Sequence, residues 1–286
     1  MMKKFMDQGT TLFFWFSGLL IVAILVWFLQ YTVGQGWSHI SWQFLTTPSK
    51  EMDAGGGIGP ELFNTFYVMV LSLVFSLPVG LGAGIYLAEY APKSKITDLI
   101  RLSTESLASV PSIVFGLFGS IIFVTGFKLG FTILGGAATL TLLNLPVLVR
   151  VTEEAIKAVP FAYREASYAL GATKWQTIYR VVLLSALPSL ITGINLVAGR
   201  AMGESAILVF TAGLSVSNKM LDFSLFAPGE TLAVHLWYVR AEGLVPDAEA
   251  IANGSAAVLV LVVLLFNLLI GIPSRILHRR FAGKVG

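Results

Sequence analysis

The chain has 286 residues, 56% of them hydrophobic and 12% charged, and a formal net charge of +3; its mean hydropathy is +0.80. A soluble globular domain carries about 25% charged residues, so this composition excludes an ordinary soluble enzyme and points to a bilayer as solvent. The chain contains no cysteine, which excludes disulfides and thiolate metal sites.

Six segments are long and apolar enough to span a bilayer, where roughly 20 residues are needed. The first, Thr11–Val33, runs 23 residues without a charge. A signal peptide has a core of about 7–15 residues, and no small-x-small cleavage site follows, so this segment reads as a retained span. The loop Gly34–Glu61 ends in GGGIGP (Gly55–Pro60), which reads as a flexible link followed by a helix start. In the second span, Leu62–Ala88, Gly80 and Gly84 form a GxxxG pair suited to close helix approach, and Pro78 suggests a kink. In the third, Ser106–Phe127, Ser109 and Ser112 flank Pro111, with Gly116 and Gly119 beyond. Small polar residues beside a proline either re-satisfy freed backbone groups or line a polar path. The fourth span is Leu129–Val149.

Between Arg150 and Arg180, Pro160 should end one helix. Phe161, Ala162, Glu165, Ala166, Ala169 and Leu170 then recur at helical spacing, and Gly171 suits a left-handed C′ position. A further helix from about Thr173 should run into the fifth apolar segment, Val181–Asn218. That segment is longer than one crossing needs, so part of it lies outside the core or is bent. Only Arg200 and Glu204 interrupt it with charge. The outer loop Leu214–Glu249 is read as holding an interfacial helix anchored by Trp237 and Tyr238, with no catalytic constellation. Ala250–Ser274 is the sixth span.

With the N-terminus on the cytoplasmic side, 14 Lys and Arg fall inside, among them Lys3, Lys4, Arg150, Arg180, Arg275 and Lys284. Four fall outside: Lys50, Lys128, Lys219 and Arg240. The positive-inside rule then puts both termini in the cytoplasm. His39, His235 and His278 are scattered, without an HExxH pairing, and no GxxxxGK[ST] loop is present, so neither a metal, a cofactor nor bound ATP is expected. ALGATKWQTIYRV has a faint helix-turn-helix look, but its second helix continues into a span and leaves no recognition helix, so no nucleic-acid partner is expected.

Glu165-Ala166-Ser167, followed by Gly171, resembles the EAA loop of ABC importer permeases, with Ser167 replacing the second alanine. Where that family usually carries I-x-LP, this chain has Val181, Leu183 and Leu184, with proline later at Pro188. VPSIVFGLFG, NLPVLVRVTEEAIKAVP, REASYALGATKWQTIYRVVL and GRAMGESA together resemble the phosphate-importer permease of the PstA type, from about Gly56 to Arg280. The resemblance implies an all-α, multi-pass protein of the bacterial inner membrane with six transmembrane helices and a type I, MetI-like importer core. Residues 1–60 would form an N-terminal helix and outer loop, and residues 61–280 the core, with a coupling loop at 150–180. Glu165, Ala166, Ala169 and Gly171 would meet an ATPase dimer of the PstB type, so ATP hydrolysis belongs to another subunit. A sister permease of the PstC type would complete the pore, and a phosphate-binding protein of the PstS type would deliver the anion.

A charge near a helix centre costs about 2.5–3.5 kcal/mol on insertion scales, so Arg200 and Glu204 need a purpose or a partner. Their i,i+4 spacing predicts a shared helix face, with Gly199 and Gly203 on an adjacent, closely packed one. A guanidinium binds phosphate through two parallel hydrogen bonds. A carboxylate at Glu204 would accept the hydroxyl that phosphate keeps near neutral pH and sulfate lacks. A span starting near Pro188 places Arg200 mid-bilayer, and one starting at Val181 places it toward the outer face. Permeases for sulfate or molybdate, and an ATP-independent channel or secondary transporter, are the competing readings. No nucleophile–base cluster supports a membrane enzyme.

Overall fold

The computed structural model describes residues 2–50, 54–215, 219–243 and 245–281, with backbone alone for 2–6 and 274–281. Lys284, counted above, and Asn218, the expected end of the fifth segment, lie outside the described residues. The described chain is helical and without strands. Among the described residues, five helices are long and apolar enough to cross a membrane, or six if one bent helix pair counts as a single span.

Helix α1 (Met2–Trp37) leaves its most apolar stretch wholly uncovered by the rest of the chain, as a helix solvated by lipid does. It meets the other helices along α12 (Ala248–Phe281). A Cβ at Gly36 would lie 2.2 Å from the Asn253 carbonyl oxygen, so glycine sets that approach. A short helix, α2 (Trp42–Thr46), is N-capped by Ser41, whose hydroxyl accepts from the Phe44 amide. The GGGIGP stretch differs from the flexible link its composition suggests. Residues 56–60 are buried, and a Cβ at Gly57 would fall 2.3 Å from Thr47 Oγ1. These glycines let the loop lie tight on α2 before α3 (Gly59–Ile85) begins, with Pro60 in its first turn.

A π turn, Tyr86–Tyr90, extends α3. Its main partner is α6 (Ile133–Lys157), and together they make the largest helix contact in the fold. The GxxxG face lies in this seam: Cβ atoms at Gly80 and Gly84 would stand 2.7 Å from Leu148 Cβ and 2.4 Å from Thr152 Cβ. Pro78 is carried inside α3 without ending it. The third span is not straight. Helix α4 (Lys95–Ala108) and helix α5 (Ser112–Gly119, continued as a π turn to Gly126) meet at 96°. Pro111 has no amide hydrogen and disfavours helical geometry at Val110, so the elbow forms there.

At one end of the bundle, Pro160 N-caps α7 (Phe161–Ala169). Helix α8 (Lys174–Thr177), a π turn Ile178–Val182 and α9 (Leu183–Met202) then follow as one rod. Beyond a break at residues 203–205 comes α10 (Ala206–Thr211). Helix α11 (Leu232–Glu242) forms where the outer-loop helix is expected, with Trp237 exposed and Tyr238 half-buried. It ends at Gly243 in the left-handed region, φ 58°.

At the opposite end, buried polar groups tie α3 to α11. Ser49 donates to Glu61, and His235 Nδ1 lies 2.8 Å from Glu230 Oε1. Asn64 donates to the Glu230 carbonyl, and the Leu232 amide donates to Thr65. Burial opposes charge on His235, but the hydrogen bond and charge of Glu230, aided by Glu61, raise its pKa above the ordinary value.

Candidate functional site

The register between α9 and α6 fixes the height of Arg200. Val182, Ala186 and Leu190 pack with Ala155, Ile156 and Val159 at the C-terminal end of α6. A Cβ at Gly193 would meet Val151, and Ala198, Ala201 and Met202 join Leu140 and Leu143. The two helices therefore run antiparallel, and the last turn of α9 stops level with the middle of α6. Helix α10 continues toward the start of α6, where the Thr132 amide donates to the Thr211 carbonyl. Although the rod begins at Lys174, Arg200 sits at mid-bundle.

Arg200 and Glu204 flank the break instead of sharing a helix face. The helix ends at Met202, the Gly203 amide donates to the Arg200 carbonyl, and Glu204 is non-helical. Glycine pays the largest entropy loss in a helix, and Gly203 stops this one before the i+4 position is reached. Gly203 accordingly packs against no neighbouring helix, whereas Gly199 does: its Cβ would lie 3.2 Å from Asn267 Nδ2. Beside it, Asn195 donates to Asn267 across the α9–α12 seam. Among the described residues, no side-chain hydrogen bond or ion pair engages Arg200 or Glu204. Arg200 is exposed from its own chain, on the α9 face that also exposes Ser189 and Leu196, and Glu204 is half-buried. A cation in the final turn also complements the helix dipole.

The elbow reaches the same height. Cβ positions on Gly119 and Gly135 would meet Thr139 and Phe123, so α5 runs antiparallel to α6, and Ser112 starts near its midpoint. A Cβ at Gly116 would be 2.9 Å from the Ala206 carbonyl oxygen. Ser112 therefore lies one turn from a residue that touches α10, just after Glu204. Two helix interruptions share the centre of the bundle, with Arg200, Glu204 and Ser112 around them. Ser109 stands on the α4 side of the elbow, exposed, with its hydroxyl donating to the Ser106 carbonyl at 2.7 Å.

The hairpin at residues 150–180 takes the expected form. The Gly171 amide donates to Tyr168 and the Ala172 amide to Ser167, closing α7 with Gly171 at φ 80°. Thr173 and Gln176 form a reciprocal capping box at the start of α8. Glu165, Ala166, Ala169 and Gly171 are exposed, and Leu170 is 90% exposed. The opposite face carries an anchor that the sequence pattern does not reveal. Arg164, buried, gives two hydrogen bonds to Glu89 Oε1 at 2.6 and 3.0 Å. It also donates to the carbonyls of Ile156 and Val159. Ser167 pairs with Thr177, and Lys174 sits over the Tyr90 ring at 4.4 Å. Glu89 and Arg164 are 75 residues apart, so spacing gives no signal of their pairing.

The chain matches the family described as "Binding-protein-dependent transport system inner membrane component" over residues 80–283. It is 48% identical over 278 residues to the probable ABC transporter permease protein YqgI of Bacillus subtilis (strain 168), covering 94% of this chain and 95% of that one. It is 36% identical over 247 residues to the phosphate transport system permease protein PstA of Yersinia pestis, covering 86% and 82%. Among solved structures it is similar to the inward-facing MetNI methionine ABC transporter, with a TM-score of 0.59, 20% identity, and 78% and 95% coverage. It is also similar to a bacterial alginate ABC transporter in complex with its periplasmic protein, with a TM-score of 0.65, 15% identity, and 93% and 96% coverage. These last likenesses concern the fold alone. ABC importer permeases work with a separate ATPase and a substrate-binding protein, and are not themselves enzymes. With an all-helical fold of five to six crossings and a family match over most of its length, the chain belongs to the binding-protein-dependent transport system inner membrane components, as a multi-pass permease subunit of an ABC importer.

Proposed function

We propose that this subunit forms half of the pathway of a phosphate importer of the PstA type. The observation that carries the reading is the exposed guanidinium of Arg200, without a partner among the described residues, at a break halfway along the bundle. Discontinuous helices at mid-membrane are a recurrent way to build anion and ion sites. The 36% identity to a phosphate permease agrees with this chemistry. Arg200 binds phosphate oxygens bidentately. Glu204 accepts the hydroxyl that sulfate lacks, and Ser112, with Ser109 behind the elbow, lines the approach.

In this reading both termini are cytoplasmic, residues 1–60 flank a core at 61–280, and phosphate arrives from a PstS-type protein. A PstC-type sister stands across an aqueous pathway from the α9 face that carries Arg200. A PstB-type ATPase pair grips α7 through Glu165, Ala166, Ala169 and Gly171.

The test is uptake of labelled phosphate by the assembled complex in proteoliposomes. Arg200→Gln should cut ATP-driven uptake at least tenfold while leaving assembly intact. Glu204→Gln should narrow the preference for phosphate over sulfate in competition. Full uptake by Arg200→Gln overturns the reading. Equal competition by sulfate or molybdate in the parent protein makes this a permease for another oxyanion.

A further inference from the structure

We propose that Glu61, Glu230 and His235 form a site for a first-row divalent transition metal, with zinc the ion to test. The inference is independent of the phosphate reading, since none of the three residues belongs to that pathway; they lie at the other end of α3 from Glu89. With a rise of 1.5 Å per residue, Glu61 and Glu89 stand about 40 Å apart. One donor atom from each of the three residues lies within 4.8 Å of the other two. All three side chains are almost fully buried, at 1%, 1% and 3% exposure.

Each residue has one polar atom held and one left over. Ser49 holds Glu61 Oε1, and His235 Nδ1 and Glu230 Oε1 hold each other. Glu61 Oε2, Glu230 Oε2 and His235 Nε2 have no hydrogen-bond partner among the described residues. Among the described residues, no lysine or arginine pairs with either carboxylate there. Two carboxylates and an imidazole are thus buried together, each with a polar atom left without a hydrogen-bond partner among the described residues.

Bonds of about 2.0–2.2 Å to zinc put ligand atoms roughly 3.3 Å apart, so small side-chain torsions bring the three donors onto one ion. The imidazole disfavours magnesium and calcium, which take oxygen ligands, and suits zinc and its neighbours. The sequence gives no motif for such a site, because its donors come from two segments about 170 residues apart. A bound ion would pin the start of α3 to the loop that enters α11.

The experiment uses the full chain, untagged, in nanodiscs, because histidine tags bind zinc and the chain has no cysteine to compete. After chelator treatment it is equilibrated with micromolar zinc chloride and desalted. Metal is counted by mass spectrometry, and zinc affinity is read by competition with a chromophoric chelator. One zinc per chain is expected, unaffected by millimolar magnesium, with a raised unfolding midpoint. Glu230→Gln and His235→Gln should each weaken zinc at least tenfold. Less than a tenth of an ion per parent chain overturns the site, whether or not the variants fold. So does retention of zinc by both variants with the affinity of the parent chain.

Discussion

At the scale of single residues, the seam between α3 and α6 depends on what is missing from two positions. A Cβ on Gly84 would press against Thr152 Cβ at 2.4 Å and the Val149 carbonyl oxygen at 2.8 Å, whereas a Cβ on Gly82 would enter open space. Overpacking of this kind costs about 1–3 kcal/mol. Gly84→Ala should therefore lower the unfolding midpoint in detergent, measured by intrinsic fluorescence, and Gly82→Ala should hold or slightly raise it, since alanine is the better helix former. This contact was legible in the sequence, because GxxxG puts both glycines on one helix face. The Arg200–Glu204 arrangement was legible only in part. Their presence in an apolar segment marked them, but periodicity assumed a helix that Gly203 ends. The Glu61, Glu230 and His235 cluster was not legible at all, since no local pattern links a first helical turn to a loop on the far side of the sequence.

At the scale of elements, α7 is a small helix with an exposed face and a buried bolt. Removing one partner of a buried ion pair costs about 3–5 kcal/mol. Glu89→Gln should loosen α7 and uncouple the permease. In proteoliposomes, binding-protein-stimulated ATP hydrolysis should fall severalfold while the subunits still co-purify. Gly171→Ala adds strain of about 1 kcal/mol at a left-handed position and should act in the same direction, more weakly. The hairpin was the most readable element, since Pro160, Gly171 and Thr173 are punctuation with local physical causes. The third span was the least readable: its composition suits a straight crossing, and Pro111 alone does not announce a 96° turn.

At the scale of the whole molecule, the crossings and their order follow from hydropathy, and their interruptions follow from tertiary register. The chain shows one α9 face to something other than itself. Because the protein lacks cysteine, Leu196→Cys offers a single thiol on that face, and Leu268→Cys offers one on an exposed part of α12. In the assembled importer, a membrane-impermeant maleimide should label Leu196→Cys faster than Leu268→Cys, and saturating phosphate should slow the first reaction; equal rates would assign both faces to lipid. The bolt at Arg164 has a mechanical corollary. It clasps the end of α3 through Glu89 and the end of α6 through two carbonyls, and those helices are already zipped together at Gly80 and Gly84. A thrust on the hairpin thus reaches both at once, so they swing as a single lever arm, with its fulcrum wherever the rest of the bundle holds still.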